Sequence, residues 1–193
     1  SRGNVINPDD MIRDYGADAL RLYEMFMGPL EAEKPWSTTG IDGAKRWLDR
    51  VYRLFSEEEF KSRYTEENDG KLDYSYNFTV KKITQDYENL SFNTAIAQMM
   101  TFINDVYKQE KIYLPYLKSF VQLLAPICPH LGEELWEMLG NEDIIDFVSW
   151  PTYDESKLVQ STAKIAVQIC GKVREVIEVS VNATKKEIEE TAL

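Results

Sequence analysis

Histidine occurs once in these 193 residues and cysteine twice. One histidine, His130, cannot build a histidine-cluster metal centre, and Cys128 and Cys170 bring it no set of partner ligands, so no metal is expected. Both cysteines sit in apolar stretches and read as reduced small hydrophobes rather than a bridge. Positive charge is scarce as well: 22 Lys and Arg face 33 Asp and Glu, for a net charge of −11. Nucleic-acid affinity comes largely from neutralised phosphates, so such a chain must gather its cations in one place or bind weakly. Long apolar runs are missing too. None approaches the roughly 20 residues that span a bilayer, and the start carries no signal-peptide pattern, so no membrane partner and a cytoplasmic location are expected.

What the chain does have is helical periodicity over a 44% hydrophobic composition, enough for a sizeable core. Asn7-Pro8-Asp9-Asp10 is a helix start: an amide that can cap free N–H groups, a proline suited to the first helical position, and two acids at the positive helix end. A short helix to about Asp14, a Gly16 cap and a second helix over 17–27 follow, with Leu20, Leu22, Tyr23, Met25 and Phe26 available for packing. Further helices are predicted over 41–58, 74–87, 91–109, 115–124 and 131–139, with Phe78, Val80, Ile83 and Tyr87 as core candidates in the second of these. Residues 62–71 read as a polar loop.

Beyond Trp150-Pro151 the period changes from helical to alternating. Ile165, Val167 and Ile169, then Ile177, Val179 and Val181, mark two half-buried strands. A two-residue Cys170-Gly171 turn would leave their apolar faces out of phase, which requires a three-residue loop or a bulge near Val176. Thr184 then caps a last helix from Lys185. The fold class is therefore mainly α: an antiparallel helical bundle with a small C-terminal β-hairpin plus helix.

Several words in the chain are more specific than its periodicity. Ser1-Arg2-Gly3-Asn4 with Tyr15-Gly16-Ala17-Asp18-Ala19-Leu20-Arg21 resembles the segment that follows the ATP-loop signature in class I aminoacyl-tRNA synthetases. Lys34-Pro35-Trp36-Ser37, the stretch from Gly40 to Val51, and Leu123-Leu124-Ala125-Pro126-Ile127-Cys128-Pro129-His130 with Glu133-Glu134-Leu135-Trp136 are similar to the leucyl-tRNA synthetases of bacterial type, over essentially the whole chain. The resemblance implies a stem-contact segment over 1–40, an anticodon-binding bundle over 41–150 and the start of a C-terminal α/β domain over 151–193. It implies an ATP- and magnesium-dependent leucine–tRNA ligase as the parent, with tRNA(Leu) and the rest of the synthetase chain as partners and no DNA. Ser1 and Arg2 would be the stub of the ATP loop. The lysines of that loop are not in this sequence, so the chain alone is expected to have no catalytic residues, no cofactor and no aminoacylation activity.

For tRNA contact the candidates are Lys45, Arg46, Arg50 and Arg53. The last three fall at i, i+4 and i+7 on one helix face, while Trp47, Leu48, Val51 and Leu54 point elsewhere. A solvated basic helix face is the plain alternative. His130 beside Pro129 reads as a cap or packing residue and Trp136 as a core anchor. Two other identities compete: a free-standing helical module that binds proteins through its acidic surface, and the equivalent segment of an isoleucine, valine or methionine enzyme.

Overall fold

Asn7 opens the first helix by the mechanism its sequence dictates: its side-chain oxygen accepts the Asp9 N–H at 3.1 Å, and Pro8 takes the first helical position. The computed structural model describes residues 5–159, 162–169, 172–180 and 183–192. Helix α1 (Pro8–Tyr15) stops at Gly16, whose φ of 90° suits glycine, and α2 (Ala17–Phe26) restarts at once. Helices α3 (Thr38–Ser56), α4 (Glu58–Lys61), α5 (Asp73–Glu88), α6 (Phe92–Tyr107), α7 (Leu114–Leu124) and α8 (Pro129–Met138) follow. Residues up to Tyr153 form one compact unit and Asp154 begins a second.

The helices of the first unit share one core. Leu22, Ile41, Val51, Leu54, Val80, Ile83, Ile96, Met99, Ile103, Leu117, Val121, Leu124 and Leu135 are all fully buried in it. Two buried-face phenols tie helix ends to that core by donating to carbonyls: Tyr64 to Leu54 and Tyr87 to Leu123, each at 2.8 Å. The expected polar loop at 62–71 contains a short strand, β1 (Tyr64–Thr65), which pairs in parallel with β2 (Ile112–Tyr113) and fastens the loop to the start of α7.

The structure moves three sequence expectations. Phe78, expected in the core, is exposed on α5, because at ~100° per residue it lies roughly opposite Val80 on the helix. Helix α3 starts at Thr38, three residues early, since Ser37 supplies the cap by accepting the Gly40 N–H at 3.3 Å. Phe26 is likewise exposed rather than packed.

In the second unit β3 (Thr162–Ile169) pairs antiparallel with β4 (Lys172–Ser180), and α9 (Lys185–Ala192) follows. Ile169 pairs with Lys172 and Gln168 with Val173, but Val167 pairs with Glu175, so Arg174 is the extra residue of a bulge. The bulge sets Ile165 opposite Ile177 and Ala163 opposite Val179, putting the alternating patterns in phase. It lies two residues before the expected place. Cys170 and Gly171 lie outside the described residues.

Two predictions come from the packing. A Cβ at Gly132 would sit 2.8 Å from the Ala125 Cβ and 2.9 Å from its Cα. Alanine favours a helix over glycine by ~1 kcal/mol, but overpacking costs ~1–3 kcal/mol, and the backbone on one side of this contact cannot swing away. Gly132→Ala should therefore lower the urea midpoint, with a net loss of about 1 kcal/mol. The second concerns alkali. Burial pushes the Tyr64 phenol up to about 12 and the Tyr87 phenol upward as well. The unfolded chain sheds these protons near pH ~10 while the folded chain keeps them, so their stabilisation is complete below that pH and is lost as pH rises through the folded values. The stability gap between wild type and Tyr87→Phe should then narrow from about pH 9 to about pH 11, read as converging urea midpoints.

Candidate nucleic-acid interface

Helix α3 divides its residues between core and solvent at helical spacing: Ile41, Ala44, Trp47, Leu48, Val51, Leu54 and Phe55 are buried. Arg46 and Arg53 are exposed and make no hydrogen bond or ion pair among the described residues. Arg50 is half-buried and held: it donates to the Asn104 side-chain oxygen at 2.6 Å and lies 4.2 Å above the Tyr107 ring, while the Tyr107 hydroxyl donates to the Arg50 carbonyl at 2.6 Å. Stacking and hydrogen bonding together fix this guanidinium against α6.

Lys45 does not join them. It sits about a quarter-turn away from Arg46 and pairs with Asp49, beside a cleft of 550 Å³ lined by Tyr15, Tyr52 and His130 among others. The neighbouring Asp42 carboxylate pushes the Tyr15 phenol above its ordinary pKa. The sequence thus brings Arg46, Arg50 and Arg53 to one face and spends Lys45 on a neighbouring acid. Ser1 and Arg2 lie outside the described residues.

Sequence reasoning missed the residues that seat α2 and α3 against the rest. The buried carboxylate of Asp18 accepts the Leu131 N–H at 2.7 Å and meets His130 Nδ1 at 2.9 Å, capping α8, whose own N-cap residue Cys128 provides no side-chain bond. Arg21, one turn along, donates to the Pro126 and Ile127 carbonyls at 2.9 and 2.8 Å. His130 is thus part of a cap, with its ring well exposed, and Trp136 is a buried anchor donating to Asp143 at 3.1 Å. An i, i+3 acid–base pair, Asp18 and Arg21, within a largely apolar helix was the available signal. Burial also pushes the Cys128 thiol upward, so this free cysteine stays a thiol.

No group of three His, Cys, Asp or Glu side chains that could hold a metal ion is present among the described residues. Nor is any described helix long and apolar enough to cross a membrane.

A family model described as the anticodon-binding domain of tRNA ligase matches residues 69–190. The chain belongs to this family. Over 99% of its length it is also similar, at 30% identity and a TM-score of 0.76, to a chain in the crystal structure of the ternary complex of Agrobacterium radiobacter K84 agnB2 LeuRS-tRNA-LeuAMS. It spans 27% of that chain. A helical anticodon-binding domain accounts for the mainly α fold, and the resemblance read from the sequence carries through to the three-dimensional match.

Removing the Asp18 carboxylate would leave the Leu131 N–H without its partner. Asp18→Ala should cost about 1–3 kcal/mol in urea unfolding, and Asp18→Asn less, because an amide oxygen can still accept one N–H.

Proposed function

We propose that this chain is the tRNA-holding part of a leucine–tRNA ligase, with residues 1–40 serving the stem side, 41–150 the bundle and 151–193 the start of a C-terminal α/β domain. The observation that carries the reading is the fold-wide match, at 30% identity, to LeuRS in a complex with tRNA. The parent would work in the cytoplasm in protein synthesis, joining leucine to tRNA(Leu) with ATP and magnesium bound outside the residues described. No chemical step is assigned to this chain.

Arg46, Arg50 and Arg53 would contact the tRNA backbone. Guanidinium groups suit phosphate because their planar fork donates two parallel hydrogen bonds, and three on one face give an acidic protein a local positive field. Backbone contacts position RNA without reading its bases. Binding should therefore be indifferent to the anticodon.

The test is fluorescence anisotropy of this chain with leucine tRNA transcripts carrying different anticodons, across a salt series. Arg46→Ala with Arg50→Ala should weaken all of them alike and flatten the salt slope by about one unit or slightly less per lost phosphate contact. Circular dichroism controls for folding, and Arg46→Ala alone, at an exposed site, should give a smaller change of the same kind. Unchanged affinity and slope in a folded variant would return these residues to a solvated helix face.

A further inference from the structure

Aspartate stands before glycine twice in the chain, at Asp42-Gly43 and at Asp69-Gly70, and asparagine before glycine nowhere. Such a pair carries a latent reaction, because glycine puts no side chain in the way when its amide nitrogen turns on the neighbouring carboxyl carbon. The surroundings decide which pair can react. Gly43 lies inside α3, where its N–H belongs to the helix ladder and Asp42 holds helical backbone angles that ring closure would have to break. Asp69 and Gly70 belong to no helix or strand, and both are exposed. Asp69 Oδ1 accepts the Lys71 N–H at 3.1 Å, which folds the carboxyl back over the Gly70 peptide. A Cβ at Gly70 would come within 4 Å only of Asp73 Oδ2, at 3.8 Å, so this amide has room to move. The Gly70 N–H donates to the Asn68 side-chain oxygen at 2.9 Å, an exposed bond that costs far less to release than a turn of α3.

We propose that Asp69 is a modification site at which the folded protein forms isoaspartate. The Gly70 nitrogen bonds to Asp69 Cγ, the amide proton and the carboxyl hydroxyl leave as water, and a five-membered succinimide results. Water then adds at one of its two carbonyl carbons. Attack at Cγ breaks the new bond and restores aspartate. Attack at the main-chain carbon breaks the old peptide bond instead, so the chain runs on through Cβ and the α-carboxylate is left as the side group. Nothing is oxidised or reduced, and the mass returns to its starting value. The extra backbone carbon falls where the loop is tied down. Asn68 donates to the Asp73 carboxylate at 2.7 Å and to the Tyr116 hydroxyl at 3.2 Å, which joins the loop to the first turn of α5 and to α7. The Gly70 N–H orients that same amide. A backbone one carbon longer between Asn68 and Gly70 separates this pair and loosens the tie. The inference concerns the integrity of the bundle and is independent of the tRNA reading.

The experiment ages the folded chain for weeks at physiological temperature and neutral pH, then maps it with trypsin. Isoaspartate is read by radiolabelled methylation with an isoaspartyl carboxyl methyltransferase. Cleavage after Arg63 and Lys71 isolates residues 64–71, and cleavage after Arg21 and Lys45 isolates 22–45 with the helical pair, since Lys34 is shielded by Pro35. Label in 64–71, at unchanged mass, should exceed label in 22–45 by at least about ten-fold. In guanidinium chloride, with α3 unfolded, the two peptides should label alike. Asp69→Glu, whose longer side chain cannot close a five-membered ring, should lose the 64–71 signal and keep its circular dichroism. Aged wild type should unfold at lower urea than fresh protein, and aged Asp69→Glu should not shift. An unlabelled 64–71 peptide from the folded chain, or equal label in the two peptides, would overturn the assignment. A 64–71 peptide heavier by the difference between an amide and an acid gives the reaction to Asn68 and equally sinks it. A labelled chain with an unshifted urea midpoint would refute the loosening of the Asn68 tie and leave the site standing.

Discussion

Asp18 and Arg21 stand one turn apart on α2 and grip opposite sides of the same turn, the one that joins α7 to α8. Arg21 donates to carbonyls just past the end of α7, and Asp18 accepts an N–H at the start of α8. Each charge meets the helix end it complements, a cation the negative C-terminal end and an anion the positive N-terminal end. The turn between them is crowded: Gly132 approaches Ala125 so closely that no side chain fits, and the Cys128 thiol reaches the Asp18 carbonyl at 3.7 Å. A misplaced α2 would leave a buried carboxylate without partners, far costlier than losing one apolar contact. Because α2 packs on α3, the same clamp orients the helix that presents the arginines.

The local electrostatics of α3 explain how an acidic chain can offer a positive face. At physiological salt a charge is felt over ~8–10 Å, so a total of −11 spread over the molecule matters less than the groups beside the stripe. Asp42, Asp49 and Glu57 are among them. Asp49 is paired with Lys45, and Asp42 lies beside the Tyr15 phenol, whose pKa it raises. Lys45 therefore serves the stripe from outside it, by neutralising an acid that would oppose an approaching phosphate. Arg50 contributes differently, because α6 has already fixed its side chain and little rotamer entropy remains to be lost on contact.

Helical periodicity made the helices of the first unit legible in the sequence, and the i, i+4, i+7 spacing identified the three arginines that share a face. What the sequence did not disclose was set by distant partners. Helix α8 begins at Pro129 rather than Leu131 because its cap comes from Asp18, more than a hundred residues earlier. The parallel pair of β1 and β2 has only two residues per strand, too few for any period. Phe78 was legible and misread: it falls off the line of Val80, Ile83 and Tyr87, and hydrophobic identity outweighed position. In the hairpin, the phase conflict announced a bulge, but only the pairing places it at Arg174. The bracing of Arg50 by Asn104 and Tyr107 has no local signal, since the partners belong to another helix.

Helix α6 ties the arginine stripe of α3 to the start of α5. Asn104 accepts from Arg50 of α3, and its neighbour Asp105 accepts from Ser75 of α5 at 2.8 Å, next to Tyr74. Adjacent residues of α6, the exposed Asn104 and the half-buried Asp105, thus hold the Arg50 guanidinium and the first turn of α5. Neither grip depends on a flexible loop: both partners stand on α6, so Arg50 and the first turn of α5 are placed as firmly as the core beneath α6 allows.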